Sequence, residues 1–293
     1  MSFHDSENDI VVGVDGSPAS DAAVRWAADE ARLCGSSVTL VHVMPPAVAT
    51  WPVGAAYGSL TDWQEANAKD VIDRARHVIA TIGVGAPPDV HTEMVTDNIV
   101  SALVAASKNA RMLVVGNDGY GAVSRLLLGS TSSAVLHHAL CPVAVVRAEE
   151  GRTLDPHAPV VVGIDGSPAS ESATAAAFDE ADRRGVDLVA VHAWSDLTVF
   201  PAVELDWREY QQKAEELLGQ RLAGWAERYP NVRVQRCIQR DDPAKRLIEE
   251  SRRAQLLVVG SHGRGGFTGM LLGSVSAKVA RTADIPVIVM RPR

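Results

Sequence analysis

The chain repeats its own sequence once along its length. VVGVDGSPAS at residues 11–20 returns as VVGIDGSPAS at residues 161–170, with nine of ten positions identical at an offset of 150. From Trp63, which matches Trp207, the offset becomes 144, so the second copy is six residues shorter. A period of about 150 residues is too long for a solenoid repeat and indicates a duplication of whole domains. We therefore predict two domains, 1–150 and 151–293.

Each half alternates short β-branched runs with longer helical stretches, a pattern typical of βαβ units and a parallel sheet. Continuous apolar runs such as MLVV and LLVV indicate strands that are covered on both faces. Right-handed crossovers leave few topologies, so we predict an α/β fold with two tandem doubly wound sheets of five strands each. In such sheets the ligand binds beyond the carboxyl ends of the strands, where the strand order reverses. The predicted strands are Ile10–Val14, Ser37–Val43, Val90–Val95, Met112–Val115, Val143–Val146, Val160–Ile164, Leu188–His192, Val232–Ile238, Leu256–Val259 and Val287–Val289.

Serine and aspartate residues mark the predicted starts of several helices. Ser17 and Ser167 each precede a proline, and a Ser-Pro pair suits the N-cap and the first position of a helix. By similar reasoning we predict N-caps at Asp97 and at either Asp241 or Asp242. The Asp241-Asp242 pair is therefore interpreted as part of a helix start, and no acid or base chemistry is assigned to it.

Charge and cysteine content argue against several classes of function. The 28 Lys and Arg residues and 36 Asp and Glu residues give a net charge of −8, the opposite of a basic surface that binds nucleic acid or anionic membranes. The three cysteines share no C-x-x-C spacing, which disfavours a disulfide framework or a cysteine-based zinc site. The polar start of the chain is unlike a secretory signal, and no apolar run approaches the length of a membrane span. We expect a cytoplasmic protein without nucleic-acid or membrane partners.

A glycine-rich motif follows the fourth predicted strand of each half. Both copies read G-x-x-G-x9-G-S, beginning at Gly116 in the first half and at Gly260 in the second. Glycines let a backbone approach a ligand closely, and the G-S pair opens a helix whose N-terminal N–H groups attract phosphate. Two copies at identical spacing, each after an apolar strand, are stronger evidence than a single loop. The alternative interpretation is that the glycines only form a turn and the serines only cap a helix.

With an aspartate at the end of the first strand, this motif resembles the universal stress protein family in its ATP-binding branch. The resemblance covers nearly the whole chain, twice, and is of the tandem mycobacterial kind. It implies a Rossmann-like sheet of the adenine nucleotide alpha hydrolase type, with strand order 3-2-1-4-5 and a nucleotide between strands one and four. It also implies that the last strands of the halves pair edge to edge and that the chain forms a homodimer.

The resemblance assigns residues of each half to the nucleotide. Asp15 and Asp165 would face the ribose and would hold any Mg or Mn ion through the ATP phosphates, although an aspartate there also suits a helix cap. The backbone of Val43 and of Ala193 would bond adenine. The remaining residues implied for nucleotide binding are Gly13, Gly116, Gly119, Gly121, Gly129, Ser130, Thr131 and Ser132 in the first half, and Gly163, Gly260, Gly263, Arg264, Gly265, Gly273, Ser274, Val275 and Ser276 in the second.

The two predicted sites differ in the loop after the fourth strand. The second half carries Ser261-His262-Gly263-Arg264, in which Arg264 adds a charge-assisted contact to phosphate. The first half carries Asn117-Asp118-Gly119-Tyr120, which replaces this cation and introduces a carboxylate. If Asp118 points into the site, we expect the first half to bind a polyanion more weakly.

The sequence lacks the motifs of nucleotide hydrolysis. No G-x-x-x-x-G-K-[ST] loop is present, D-G-S-P stands where an S-G-G-x-D-S loop would follow the first strand, and no base is placed to orient a water. His42 and His192 end apolar strands without neighbours at metal-binding spacing and are interpreted as structural. We expect not an enzyme but an ATP-binding regulator of stress response and growth, with one site per domain and an unknown protein partner. The alternatives are a nucleotide-independent interaction module and a slow metal-dependent ATP hydrolase.

Overall fold

Each copy of the repeat forms its own unit of structure. The computed structural model describes residues 8–46, 56–82, 85–118, 128–148, 154–194, 207–263 and 272–292. Contacts along the chain divide it into Met1–Glu150, here called unit 1, and Gly151–Arg293, called unit 2. Among the described residues, no helix has the length and apolar character needed to cross a membrane.

Unit 1 is built on a five-stranded parallel sheet. Its strands follow the order β3-β2-β1-β4-β5, so the chain reverses direction across the sheet between β1 and β4. Helix α1 packs against α2, and α3 packs against α4. The elements are β1 (Ile10–Gly13), α1 (Pro18–Cys34), β2 (Val38–Met44), α2 (Ala56–Ala80), β3 (Val90–Thr96), α3 (Ile99–Ala106), β4 (Met112–Gly116), α4 (Ser130–His138) and β5 (Val143–Val146).

Unit 2 repeats this sheet with the parallel order β8-β7-β6-β9-β10. Its second helix is interrupted, because Gly224 adopts a φ of 81° between α6 and the short α7. The elements are β6 (Val160–Gly163), α5 (Pro168–Arg184), β7 (Leu188–Trp194), α6 (Trp207–Leu222), α7 (Trp225–Arg228), β8 (Val234–Arg240), α8 (Pro243–Ser251), β9 (Leu256–Gly260), α9 (Ser274–Thr282) and β10 (Val287–Met290).

The observed sheets confirm the predicted α/β fold and the strand order 3-2-1-4-5 in each unit. All ten predicted strands are present, with ends shifted by no more than two residues. The central strands are buried on both faces, as their continuous apolar runs predicted: Ile10 and Leu113 in unit 1 and Leu256 in unit 2 are fully inaccessible to solvent. Burial of these strands fixes the position of their carboxyl ends, where the candidate site lies.

The helix starts confirm most of the predicted caps. Ser17 Oγ accepts a hydrogen bond from Ser20 N–H at 3.1 Å, and Ser167 caps α5 in the same way. The prediction for Asp97 is wrong: Asn98 is the N-cap of α3, and the Asp97 carboxylate accepts from Asn98 N–H instead. Aspartate and asparagine both suit an N-cap, so which of the two residues caps α3 depends on where the helical backbone begins.

Asp242 is the N-cap of α8, and its carboxylate accepts from Lys245 N–H at 2.8 Å. This hydrogen bond lowers the pKa of Asp242, and the nearby Lys278 ammonium lowers it further. Because the pKa is lower in the folded than in the unfolded chain, the stabilisation is fully present above about pH 4 and is lost as pH falls through the folded pKa. We expect Asp242→Ala to destabilise unit 2 by about 1 kcal/mol at pH 7.

Urea denaturation of the wild-type chain and the alanine variant at pH 7 and pH 3 measures this effect. The difference between the two proteins should shrink at pH 3. Asp242→Asn is the matched control, because asparagine keeps an acceptor at the N-cap without a titrating group. Equal stabilities of the wild-type and alanine chains at pH 7 would contradict the assignment of the cap.

Candidate functional site

A cleft opens in unit 1 at the point where the strand order reverses. It has a volume of about 540 Å³ and lies beyond the carboxyl ends of β1, β2 and β4, beside the first turn of α4. This is the position at which doubly wound sheets bind their ligands. The described residues that line it are Gly13, Val14, Asp15, Ser20, Val41, His42, Val43, Ile99, Leu103, Val115, Gly116, Asp118, Gly129, Ser130, Thr131 and Ser132.

The cleft brings together eight residues of the predicted first site. Gly119 and Gly121 of the same prediction lie outside the described residues. The eight are Gly13, Asp15, Val43, Gly116, Gly129, Ser130, Thr131 and Ser132.

One side of the cleft is apolar. Val41 and Val43 come from the end of β2, and Ile99 and Leu103 come from the first turns of α3. Sequence reasoning missed the two α3 residues, although their i, i+4 spacing places them on one helix face. Ile99 is 40% exposed, which is unusual for a large apolar side chain and leaves its surface available at the mouth of the cleft.

Another part of the cleft is polar and is formed by the start of α4. Gly129 is the N-cap of this helix, and among the described residues no side-chain hydrogen bond caps it. The first N–H groups of a helix have no partner within it and carry the positive end of the helix dipole. In α1, by contrast, Ser17 Oγ accepts from such an N–H group. The first turn of α4 therefore places backbone donors beside the cleft.

Two hydrogen bonds hold this turn against the end of β4. Gly129 N–H donates to Asn117 O at 2.6 Å, and Ser132 Oγ donates to Gly116 O at 2.6 Å. The Ser132 hydroxyl is thus directed to the backbone carbonyl of Gly116. Its contribution to the cleft is to fix the helix terminus in place.

Asp15 contacts the turn before α1 and lies in the lining of the cleft. Its Oδ1 atom accepts from Ser17 N–H at 2.9 Å, so the carboxylate orders the turn before α1. The residue is exposed and also lines the cleft. A carboxylate oxygen there can contact a ribose hydroxyl or a cation while the turn stays intact.

The glycines that end β4 and β9 have a packing role that the sequence did not show. A Cβ atom on Gly116 would lie 2.9 Å from the backbone of Ala19 in α1, and one on Gly260 would lie 2.7 Å from the backbone of Ala169 in α5. A side chain would therefore collide with the helix that follows the first strand. Close packing of the helix on the strand therefore explains why this part of the motif needs glycine, independently of any ligand in the cleft.

His42 and His192 have the structural role predicted for them. Nδ1 of His42 lies 2.8 Å from Val14 O, and Nδ1 of His192 lies 2.6 Å from Ile164 O. Each ring ties the end of the second strand to the end of the first. Within the described residues, no group of three or more His, Cys, Asp or Glu side chains could hold a metal ion.

Unit 2 repeats the same framework. Asp165 Oδ1 accepts from Ser167 N–H at 2.9 Å, and Ser276 Oγ donates to Ser261 O at 2.8 Å. A Cβ atom on Gly263 would lie 2.3 Å from Asp165 Oδ2, so the loop after β9 lies directly against this carboxylate. Gly163 and Gly260 end their strands, and Ala193 is the last residue but one of β7. Gly273 is the N-cap of α9, whose first residues are Ser274 and Val275, and no side-chain hydrogen bond caps it within the described chain. Arg264 and Gly265 lie outside the described residues.

The loops after β4 and β9 differ in their polar groups. Asp118 is half-buried and lines the cleft of unit 1, whereas its counterpart His262 has Nδ1 2.9 Å from Ser261 Oγ. Asn117 is 2% exposed, and its Oδ1 atom has no hydrogen-bond partner among the described residues. Asp118 thus lies at the unit 1 cleft, and the weaker binding of a polyanion expected there stays a prediction.

The family model described as the universal stress protein family matches residues 8–147 and again residues 157–291. The chain belongs to the universal stress protein family. A universal stress protein of Mycolicibacterium smegmatis is 52% identical over 289 residues, with 98% of each chain covered. One of Mycobacterium tuberculosis is 50% identical over 293 residues, with 99% of each covered.

A solved structure supports the arrangement of two tandem domains. The crystal structure of a universal stress protein from Archaeoglobus fulgidus superposes with a TM-score of 0.72 at 21% identity, covering 98% of this chain and 99% of that one. At this identity the likeness concerns the fold. It confirms the predicted tandem α/β architecture of the family.

Proposed function

We propose that units 1 and 2 of this universal stress protein each bind an adenine nucleotide, ATP foremost, and that occupancy regulates a stress response. The observation that carries the proposal is the cleft of unit 1, which joins an apolar wall to an uncapped helix N-terminus at the reversal point of the sheet. A regulatory protein partner, a homodimer and a cytoplasmic location belong to the same proposal. Little or no turnover is expected.

The apolar side of the cleft suits a purine base. Its volume of about 540 Å³ lies within the range of small-molecule sites. Val43 and Leu103 are buried, and they offer aliphatic surface on which the face of a base can lie. A Cβ on Gly13 would meet the Leu103 methyl groups at 3.3 and 3.4 Å, so glycine there keeps Leu103 close to the sheet.

The polar side suits phosphate. The N–H groups of Ser130, Thr131 and Ser132 occupy the first turn of α4, where no side chain caps them. Such a turn combines directed donors with the positive end of the helix dipole, and phosphate is the ligand it binds best. The Ser130 and Thr131 hydroxyl groups line the same region.

The residues also fit a divalent cation bound with the nucleotide. Mg²⁺ in nucleotide sites takes one or two carboxylate oxygens and completes its shell with phosphates and water. Asp15 presents a carboxylate that lines the cleft, and Asp165 occupies the equivalent position in unit 2. When bound, such an ion would neutralise phosphate charge.

The described lining favours binding over turnover. Its titratable side chains are Asp15, His42 and Asp118, and the His42 ring is engaged with Val14 O. General-base catalysis needs a group within hydrogen-bond reach of the attacking water, and nothing in the described lining marks such a group. We therefore favour a regulator over a nucleotide hydrolase.

The first test counts the nucleotide that the protein carries. Chain purified without added nucleotide is denatured, and released adenine nucleotides are identified and counted by chromatography. Release of about one or two ATP per chain, or micromolar ATP binding by calorimetry in Mg²⁺, supports the proposal. No released nucleotide together with no binding of added Mg-ATP would refute it and leave an interaction module.

A backbone substitution tests the phosphate contact directly. We expect Ser130→Pro to weaken ATP binding at unit 1 by about tenfold, because it removes one charge-assisted N–H donor. Proline is tolerated at the first position of a helix, and Gly129 already has the extended backbone that must precede it, with φ −58° and ψ 152°. Calorimetric titration with ATP measures the change.

Ser130→Ala is the matched control, since it removes the hydroxyl group and keeps the N–H. Ser274→Pro makes the equivalent change in unit 2, where Gly273 has φ −79° and ψ 158°. Thermal unfolding confirms that each variant is folded. Equal ATP affinity in the proline and alanine variants would show that this amide does not contact the nucleotide.

A further inference from the structure

We infer that the two units select different charge states of the nucleotide, a conclusion that rests on the proposed function. Unit 1 takes adenine nucleotides of low phosphate charge, which are AMP or ATP neutralised by a divalent cation. Unit 2 takes the uncompensated polyphosphate as well. The residue that sets this difference is Asp118, which corresponds to His262.

Asp118 lies at the phosphate end of the unit 1 cleft. It follows the end of β4, and Asn117 before it is anchored by a hydrogen bond from its N–H to Val146 O at 2.8 Å. A Cβ atom built on Gly129 would lie 3.4 Å from the Asp118 Cα atom. Since Gly129 is the N-cap of α4, Asp118 is adjacent to the donors proposed to hold phosphate.

The charges around this end of the cleft disfavour a bare polyphosphate. Asp15 and Asp118 both line the cleft, and the described lining contains neither Lys nor Arg. The start of α4 supplies only about half a positive charge. The negative charges of Asp15, which is exposed, and Asp118, which is half-buried, outweigh this partial positive charge. They therefore repel each additional negative charge on the phosphate chain. A divalent cation between carboxylates and phosphates reverses the sign of this interaction.

The unpaired Asn117 oxygen is consistent with the same conclusion. Buried acceptors are almost always hydrogen-bonded, and each exception requires an explanation. Among the described residues, Asn117 Oδ1 is buried without a hydrogen-bond partner, whereas the Ser261 hydroxyl in unit 2 is paired with His262. The unpaired oxygen belongs to the residue directly before Asp118, and an acceptor at this position favours a cation-bearing ligand.

Among the described residues of unit 2, no carboxylate takes the position of Asp118. His262 occupies the position of Asp118, with Nδ1 near Ser261 Oγ and its carbonyl accepting from Ser167 Oγ at 3.2 Å. Asp165 is the carboxylate that lies against this loop, next to Gly263. Histidine is neutral or positive at physiological pH, so it does not oppose phosphate charge.

Calorimetric titration of AMP, ADP and ATP, in EDTA and then in excess Mg²⁺, tests the inference. The Ser274→Pro chain weakens unit 2 and reports on unit 1. In EDTA we expect it to bind ATP about tenfold more weakly than AMP, and Mg²⁺ should remove this difference. Adding Asp118→Asn should tighten ATP binding in EDTA by about tenfold with little change for AMP.

The exchange in unit 2 provides the matched control. In the Ser130→Pro chain, which reports on unit 2, ATP should bind in EDTA at least as tightly as AMP. Adding His262→Asp should give unit 2 the preference expected of unit 1: its affinity for ATP in EDTA should fall by about tenfold relative to its affinity for AMP. This arm keeps the inference testable if the Asp118 variant does not fold.

Three outcomes would overturn the inference. They are tighter binding of ATP than AMP at unit 1 in EDTA, an unchanged ATP to AMP ratio in the Asp118→Asn chain, and an unchanged ratio in the His262→Asp chain. Absence of any nucleotide binding in the wild-type chain is a distinct result, because it refutes the proposed function itself.

Discussion

Gly260→Ala is expected to destabilise unit 2 by about 3 kcal/mol, the upper end of the cost of overpacking a core. The added Cβ would lie 2.7 Å from the backbone carbonyl carbon of Ala169 and 2.9 Å from Ser170 N. These are backbone atoms of the first turn of α5, which cannot rotate away as a side chain would. Relief requires α5 to move off β9, and this loosens the contact between the two elements.

Chemical denaturation, with hydrogen exchange followed on peptides from α5 and β9, measures this effect. Gly219→Ala is the matched control. The nearest atom to a Cβ there is Arg236 Nη1 at 3.8 Å, and the residue lies within helix α6. Alanine is favoured over glycine inside a helix by about 1 kcal/mol, so this variant should be more stable than the wild type. Equal destabilisation by both substitutions would contradict the packing explanation.

The Gly260 contact shows where sequence reasoning stops. The repeat, the apolar runs and the Ser-Pro helix starts predicted ten strands and the α/β fold, because each depends on periodicity or local backbone preference. The role of Gly116 and Gly260 depends on which element fills the space above them. A glycine beside a ligand and a glycine beside a helix have the same sequence signature, so only the fold separates them.

The candidate site shows the same division. The residues of the glycine motif and the ends of the first two strands were predicted, since they follow directly from the topology of a doubly wound sheet. The Ile99 and Leu103 wall was missed, because α3 begins after a short loop whose path the sequence does not specify. The position of Asp118 was left open for a similar reason, and the structure places it in the lining of the cleft with its Cα atom beside Gly129.

Loss of the Glu180 carboxylate is expected to have a comparable effect on unit 2. Glu180 is 2% exposed and its two oxygens accept from Arg183 and Arg184. Removing one partner of a buried ion pair leaves the other charge uncompensated. We expect Glu180→Ala to lower the free energy of unfolding by about 3 kcal/mol, because both arginines are mostly buried.

The pair between Asp29 and Arg32 in α1, in which the carboxylate is the exposed partner, is the matched control. The Asp29 side chain is 58% exposed, and Asp29→Ala should change stability by about 0.5 kcal/mol or less. Urea denaturation of the two alanine variants and the wild type gives the comparison. Similar midpoints for all three proteins would show that the Glu180 cluster is solvated and contributes no more than a surface pair.

Hydrogen bonds connect the Glu180 cluster to residues outside α5, so the prediction includes an effect on hydrogen exchange in a second element. Arg184 donates to Gln255 Oε1 at 3.2 Å, and the Gln255 amide donates to the carbonyls of Pro156 and Ala158 at 2.8 and 2.6 Å. The segment that enters β6 is therefore held through Arg184 and Gln255. Faster hydrogen exchange in β6 should accompany the lost stability in Glu180→Ala, whereas a purely local loss would leave exchange there unchanged.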